Sequence, residues 1–153
     1  MSPEQILAAL RTQPAWAEIP DQVLLERAEA LLEECTLVEM NGGDIIAEYL
    51  DDEDGAWLVL LGSVDEWSSE RRLAIRGMGQ FTGELAVFGR GPADGDPKAV
   101  EIVAREEGLL LQIPGQLLRD ITTWIPGAAS IMLKEVARHG MCGVHAVRAA
   151  LAL

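Results

Sequence analysis

Basic residues are scarce in this sequence. It has 12 lysines and arginines against 25 aspartates and glutamates, and its formal net charge is -13 at pH 7. A negative field of this kind repels phosphate backbones and anionic lipid headgroups, and no basic stripe in the sequence could reverse it locally. We therefore expect neither nucleic acid nor a membrane surface as a partner.

Cysteines and long apolar runs are scarce as well. Cys35 and Cys142 are too few and too far apart for a disulfide framework or a CxxC motif, so we expect reduced thiols. Apolar runs such as 56–61 and 131–133 are far shorter than the roughly 20 residues of a spanning helix. The N-terminus also lacks a basic region followed by an apolar block, so we expect a cytoplasmic protein without membrane insertion.

The remaining composition is that of a folded domain. Of the 153 residues, 49% are hydrophobic and 24% are charged, which is typical of a globular protein. This length suits one domain with a sizeable core. Because no repeat, low-complexity segment or flexible linker interrupts the chain, we predict a single domain over residues 1–153.

The first part of that domain, residues 1–35, has helical spacing. Ser2, Pro3 and Gln5 form a capping box with proline at the first helical position, which predicts a short helix there. A second helix is expected after Pro20, with Asp21 as its N-cap and one apolar face. These helices should pack on the next part of the chain.

Residues 36–114 have the pattern of short strands separated by glycine or acidic turns. Many short strands at regular spacing are typical of a sandwich or barrel, and residues 115–153 return to helical spacing. The predicted fold class is therefore mainly β with flanking helices (α+β), with the strands in a sandwich or barrel. The expected strands are 36–40, 44–50, 56–61, 64–68, 72–76, 98–104 and 108–113.

The stretch 79–86, Gly-Gln-Phe-Thr-Gly-Glu-Leu-Ala, is the clearest candidate for a site. Its glycines allow a sharp turn or a close approach of the backbone to a ligand, and Glu84 precedes what looks like a short helix. The unpaired N–H groups of a helix start can bind an anion, while Glu84 could accept hydrogen bonds from sugar hydroxyls. The alternative is a turn without a ligand, in which Glu84 interacts only with the helix dipole.

That stretch and the order of helices and strands resemble the cyclic-nucleotide-binding domain family. The family's cassette reads approximately G-D-F-F-G-E-[LI]-A, followed after several residues by P-R-[SA]-A-[TS]-V. Other similar landmarks are Ile19-Pro20, Gly43-Asp44-Ile45-Ile46, residues 57–64 and residues 110–114. The resemblance covers nearly the whole chain and implies an antiparallel β-roll or jelly-roll barrel of about eight strands, with N-terminal helices and a C-terminal helical lid.

The resemblance also implies a binding site. In the family the cassette glutamate binds the ribose 2'-hydroxyl, an arginine pairs with the cyclic phosphate, and backbone N–H groups face the ligand. Lys98 takes the arginine place when 97–102 is laid on the second half of the cassette, and Glu101 takes the threonine place. Laying Pro92-Ala93 there instead removes the positive charge. The implied site residues are Gly83, Glu84, Leu85, Ala86, Lys98 and Ala99.

The phosphate end of this cassette departs from the family pattern. Lysine cannot make the bidentate contact of arginine, and Asp94, Asp96 and Glu101 add negative charge. Two like charges ~4 Å apart cost on the order of 4 kcal/mol at an effective dielectric of about 20. We therefore expect ordinary cyclic nucleotide binding to be disfavoured and no cofactor to be required.

Two functions follow from this departure. The first is a noncatalytic, cyclic-nucleotide-binding-like regulatory or scaffold module that acts by protein-protein contact. The alternative is a genuine sensor of a cyclic nucleotide or another small molecule, which repositions its C-terminal helix. No Ser-His-Asp grouping, P-loop or HExxH motif occurs, so we do not expect an enzyme.

Other candidate sites are weaker. His139, Cys142 and His145 are three residues apart, whereas metal pairs on a helix prefer i and i+4, so we predict no metal site. The acidic run 51–55 lacks the ligand pattern of an EF-hand and is expected to be a solvated hairpin tip. The four tryptophans are expected in the core or at an interface, with Trp67 the one most open to solvent.

The last segment, residues 146–153, is largely apolar on all sides. Such a helix should bury against another surface. In family members that regulate transcription a DNA-reading helix-turn-helix domain would follow, and we expect none here. The expected partner is therefore another protein chain or a second copy of this one, contacted through the C-terminal helix.

Overall fold

The computed structural model describes residues 1–48, 55–68, 71–83 and 100–124, and every structural statement below concerns these residues. The helices are α1 (Pro3–Arg11), α2 (Asp21–Glu34) and α3 (Gly115–Trp124), with a 3-10 turn at Pro14–Trp16. The strands are β1 (Thr36–Met40), β2 (Ile45–Ala47), β3 (Ala56–Leu61), β4 (Val64–Ser68), β5 (Arg71–Arg76), β6 (Phe81–Thr82), β7 (Val100–Ala104) and β8 (Gly108–Ile113).

The N-terminal helices begin as predicted, apart from one cap. The Gln5 N–H donates to Ser2 Oγ and the Ser2 N–H donates to Gln5 Oε1, which confirms the capping box. The prediction that Asp21 caps α2 is wrong, because Pro20 is the N-cap and Asp21 is the first helical residue. The Asp21 carboxylate pairs instead with the Arg11 guanidinium, which joins the end of α1 to the start of α2.

Two four-stranded antiparallel sheets form the roll, and they confirm the predicted fold class. The first sheet has the order β1-β8-β3-β6 and the second the order β2-β7-β4-β5. Strands β5 and β6, joined by the turn 77–80, are thus edge strands of different sheets. The first sheet packs on the N-terminal helices with its outer face, and the two sheets enclose the roll interior between them.

Most strand bounds agree with the predicted ranges. Strands β1, β3, β4 and β8 match, and β5 begins one residue early. Strand β2 is shorter than 44–50, and β7 is described from Val100, because residues 98–99 lie outside the described part. The sequence pattern missed β6, since a strand of two residues is too short to show alternation.

Two hydrophobic clusters meet at β3. Its residues Ala56, Leu58 and Leu60 belong to the cluster shared with α1, α2 and α3, whereas Trp57 and Val59 belong to the cluster inside the roll. From Ala56 to Leu60 this strand is therefore buried on both faces, which explains the apolar run there, whereas Leu61 at its end is exposed.

The tryptophan predictions are confirmed for two of the four residues. Trp16 is 2% exposed and Trp57 is 4% exposed, so both are core residues. Trp67 is half-buried.

Within the described ranges, none of the helices has the length and apolarity that crossing a membrane requires. The single domain over 1–153 stays a prediction.

Cys35 follows the last residue of α2 and is a free, partly buried thiol. Burial raises the pKa of this thiol to about 12, and the negative charge of Glu34 adds to the increase. Because the thiolate is the reactive form, Cys35 should be poorly nucleophilic at neutral pH. The other cysteine, Cys142, lies outside the described residues.

This pKa predicts slow alkylation of Cys35 in a Cys142→Ser variant. At pH 8 the native protein should react with iodoacetamide at least about a hundredfold more slowly than the urea-unfolded chain, since each pKa unit changes the thiolate fraction about tenfold. The folded pKa lies above the ordinary value of 9.0. Its contribution to stability is therefore complete below pH ~9 and is lost as pH rises toward ~12. Equal alkylation rates of the native and the unfolded protein would contradict the raised pKa of Cys35.

Candidate functional site

The turn 77–80 leads from β5 to the predicted site and is fixed by two neighbouring elements. Thr12 Oγ1 and Gln13 Nε2 each donate a hydrogen bond of 2.9 Å to the Met78 carbonyl oxygen. The Gly79 N–H donates to the Val59 carbonyl oxygen of β3 at 2.8 Å. The end of α1 and the centre of β3 thus position the chain just ahead of the site.

Gly79 makes this close approach possible. Its φ is +82°, and a Cβ atom there would lie 2.2 Å from the Ala9 carbonyl oxygen and 2.4 Å from Thr12 Oγ1. Both distances are far below van der Waals contact, and the left-handed φ is costly for a residue with a Cβ. A side chain at position 79 would push the turn away from α1.

Strand β6 sends its two side chains to opposite sides of the first sheet. Phe81 packs with the helix-side cluster, with its ring centroid 6.1 Å from that of Trp16. Thr82 is fully buried and lies opposite Trp57, whose side chain belongs to the interior cluster. The chain therefore enters the predicted site with Thr82 facing the roll interior.

Gly83 is the one predicted site residue within the described part. Its φ is +81°, and a Cβ atom would lie 3.0 Å from the Trp57 ring and 3.4 Å from Ile102. The backbone at Gly83 thus packs directly on interior side chains, a position that requires glycine. The other predicted site residues, Glu84, Leu85, Ala86, Lys98 and Ala99, lie outside the described residues, and the ligand role of all six stays a prediction.

A buried polar cluster that the sequence pattern did not reveal lies beside Gly83. Arg76 Nε donates to Glu66 Oε1 at 3.1 Å, and Thr82 Oγ1 donates to the same oxygen at 2.6 Å. The Arg76 and Glu66 side chains are each 1% exposed. We call these three residues the interior triad. It joins β4 and β5 of the second sheet to β6 of the first.

The register explains why these charged side chains point inward. Glu66 lies two residues after Val64 on β4, and Val64 is part of the interior cluster, so strand alternation places both on one face. Arg76 on β5 lies directly opposite Val64, which brings its guanidinium diagonally across to Glu66. The alternation itself was visible in the sequence, but the pairing register was not.

The triad leaves one carboxylate oxygen unsatisfied. Glu66 Oε2 is buried and accepts no hydrogen bond from the described residues. A buried carboxylate beside a guanidinium is stabilised by charge pairing, and the unmade hydrogen bond costs free energy. Electrostatically, the negative charge of Glu66 offsets the positive charge of Arg76 inside the roll.

The opposite face of β4 carries a different ion-pair cluster. Asp65 Oδ1 lies 3.4 Å from Arg105 Nε and 3.7 Å from Arg72 Nη1, and both arginine side chains are more than a third exposed. Asp65 itself is only 16% exposed, and its Oδ1 accepts no hydrogen bond from the described residues, so these are ion contacts of a mostly buried carboxylate with partly exposed arginines. Asp65 and Glu66 are thus adjacent carboxylates in contrasting environments.

A groove of 460 Å³ opens near β1 and β2. Its apolar wall includes Val38, Ile46 and Trp57, and its polar wall includes the carboxylates of Asp44 and Glu48. These carboxylates make the groove unfavourable for a phosphate. No group of three or more potential metal ligands occurs among the residues that the structure covers. The acidic run 51–54 and the His139, Cys142 and His145 triplet lie outside them.

No protein-family model and no curated protein matches the chain. Solved structures do match. The regulatory subunit of a cAMP-independent protein kinase A from Trypanosoma brucei aligns with a TM-score of 0.63 at 18% identity, over 89% of this chain and 46% of that one. The chain thus spans about half the length of that subunit.

Two further structures have similar folds. The regulatory domain of Toxoplasma gondii protein kinase A, crystallised with cAMP, aligns with a TM-score of 0.63 at 13% identity, over 88% of this chain and 48% of that one. The sensor domain of the transcriptional regulator DNR from Pseudomonas aeruginosa aligns with a TM-score of 0.61 at 15% identity, over 90% of this chain and 91% of that one. The chain has the fold of a cyclic-nucleotide-binding domain, as its sequence pattern predicts.

The packing of Gly79 predicts a strong effect of substitution. Gly79→Ala should lower the free energy of unfolding by about 3 kcal/mol, because left-handed strain and a clash with α1 add together. Gly43→Ala is the matched control, since Gly43 has a φ of +92° but no atom within 4 Å of the position that a Cβ would take. Gly43→Ala should lower the free energy of unfolding by only about 1 kcal/mol, the cost of the left-handed φ alone. Urea unfolding curves measure the free energy of unfolding of both variants. Equal losses would show that Gly79 is not tightly packed against α1.

Proposed function

We propose that this domain is a noncatalytic regulatory module that acts by contact with another protein and does not depend on an ordinary cyclic nucleotide. The observation that carries the proposal is the interior triad. The Arg76 guanidinium is buried in the roll, and Glu66 offsets its charge at 3.1 Å. A cyclic phosphate brought into this interior would meet a carboxylate beside the arginine, and like charges at short range are strongly unfavourable.

The overall charge supports the same proposal. A net charge of -13 lowers the local concentration of anionic ligands around the protein. The altered second half of the cassette adds acidic residues near the predicted phosphate position. Phosphate recognition is therefore opposed by the buried pair, by the loop sequence and by the long-range field.

A structurally similar protein supports regulation without cAMP. The Trypanosoma brucei subunit is described as part of a cAMP-independent kinase. This fold thus occurs in the regulatory subunit of a kinase that is cAMP-independent. The similarity is one of fold. The regulatory role that we propose for this chain rests on the interior triad and on the net charge.

The second candidate function is a sensor of a cyclic nucleotide or another small molecule. It is favoured by Gly83, whose left-handed φ of +81° and close packing on Trp57 set the backbone within the cassette directly ahead of Glu84. In this proposal Glu84 contacts the ligand, and binding repositions the C-terminal helix. A ligand with little negative charge would suit the interior better than a phosphate.

Ligand titration separates the two functions. We expect cAMP, cGMP, cCMP, cUMP and cyclic dinucleotides to leave the melting temperature and the tryptophan fluorescence of the wild-type protein unchanged. A ligand at a hundredfold excess over its Kd would add about 2.7 kcal/mol of stability, which a thermal melt resolves easily. Saturable stabilisation that Glu84→Ala removes, and that Glu29→Ala on the exposed face of α2 retains, would favour the sensor.

The protein contact has its own test. Residues 146–153, which lie outside the described part, are the predicted contact segment because of their apolar sequence. Deleting them should lower the mass measured by light scattering if the partner is a second copy, or abolish capture of a partner protein otherwise. The control is Glu29→Ala, an exposed change that should alter neither readout. Unchanged mass and unchanged capture would exclude this segment as the contact.

A further inference from the structure

We propose that the groove of 460 Å³ between β1 and β2 is a docking site for an extended segment of a partner protein in which basic and apolar side chains alternate. This inference rests on the proposed function, because it gives the protein contact a surface within the described part of the chain. Three features of the groove support it: its position at two sheet edges, its apolar floor and its acidic rim.

Strands β1 and β2 are edge strands of different sheets. Among the described strands, β1 pairs with β8 alone and β2 pairs with β7 alone. The outer edge of each strand therefore pairs with no strand in the described ranges. A sheet edge of this kind can accept an additional strand through main-chain hydrogen bonds.

The lining residues show that the groove follows these two edges. Residues 44–48, which include the whole of β2, all line it, and so do the neighbours Val38 and Glu39 of β1. Because consecutive side chains of a strand point to opposite faces, a cavity on one face would meet only every second residue. Contact with consecutive residues therefore places the groove along the strand edges, where the main chain of a partner can approach.

The floor of the groove is largely apolar. Trp57 on β3 lies directly opposite Gln112 on β8, and both line the groove. The other floor residues, Val38, Ile46 and Ala47, pack against the interior cluster that contains Trp57. Apolar side chains of a docked strand would lose contact with water on this floor, which favours binding.

The rim of the groove is acidic. Glu39, Asp44 and Glu48 are exposed and line it, and none of its described lining residues is basic. The net charge of -13 adds a long-range field that attracts a basic segment. Because side chains alternate along an extended strand, one set can meet the apolar floor while the other set meets the carboxylates. Charge complementarity thus favours basic residues in the second set.

The probe is a capped peptide of about eight residues, the length of an ordinary strand, in which lysine and valine alternate. Calorimetry and tryptophan fluorescence follow its titration into the wild-type protein. We expect saturable binding and a change in fluorescence, since Trp57 lines the groove. A peptide with glutamate in place of lysine should not bind, because it would bring like charges together.

Two N-methylated forms of the peptide test the pairing with a strand edge. One is methylated at the valines and the other at the lysines, so each lacks the main-chain donors on one side of the strand. At least one of them should bind about tenfold more weakly than the unmodified peptide, which corresponds to about 1.4 kcal/mol.

Glu39→Gln with Glu48→Gln tests the acidic rim. The matched control is Glu29→Gln with Glu33→Gln, two exposed residues of α2. Both double variants change the net charge from -13 to -11, since each removes two carboxylates. We expect the rim variant to bind the lysine-valine peptide at least about fivefold more weakly than the control variant does. That difference reflects the position of the charges and not the overall field of the protein.

Four results would overturn the inference. They are the absence of saturable peptide binding to the wild type, equal binding by the two double variants, full binding of both N-methylated peptides, and binding of lysine amide as tight as that of the peptide. The last result would identify a site for small cations. The proposed function fails on a different result, cyclic nucleotide binding by the wild-type protein that depends on Glu84, so the two failures can be told apart.

Discussion

The structure depends on the burial of β3 between two layers. Its alternate side chains belong to two different clusters, one shared with the helices and one inside the roll. A strand with both faces covered needs a partner layer on each side, so the helices and the second sheet are both required. Because the turn 77–80 bonds to the backbone of Val59, this same strand also positions the chain ahead of Gly83.

The interior of the roll combines this apolar packing with the buried triad. Buried ion pairs are weak evidence for stability, because desolvation of both charges offsets much of their attraction. Here the pair has a geometric consequence, since Thr82 connects it to the other sheet. The triad joins β4 and β5 to β6 by a buried polar bridge. Its effect is therefore on the position of β6.

Much of the fold could be predicted from local patterns. The capping box at Ser2 and Gln5, the apolar run of β3 and four strand ranges are confirmed, because a capping pair, an apolar run and the turns between strands each show within a few consecutive residues. The cap of α2 was assigned wrongly, since the Asp21 carboxylate is engaged by Arg11, ten residues away. Of the candidate site, Gly83 could be located from its motif, whereas the triad was missed entirely.

The difference arises because some features depend on neighbouring residues and others on residues that are far apart in the sequence. Composition, turn glycines and alternation are local, and they predicted the acidity and a barrel of short strands, while the resemblance of residues 79–86 located the cassette. Whether Glu66 and Arg76 face solvent or each other depends on the pairing of β4 with β5, including the register shift after Glu66. A shift of one residue turns a side chain to the other face of a sheet. The burial of Arg76 beside Glu66 was decided only by the tertiary structure. It depends on that register and on the hydrogen bond of Thr82 across the two sheets.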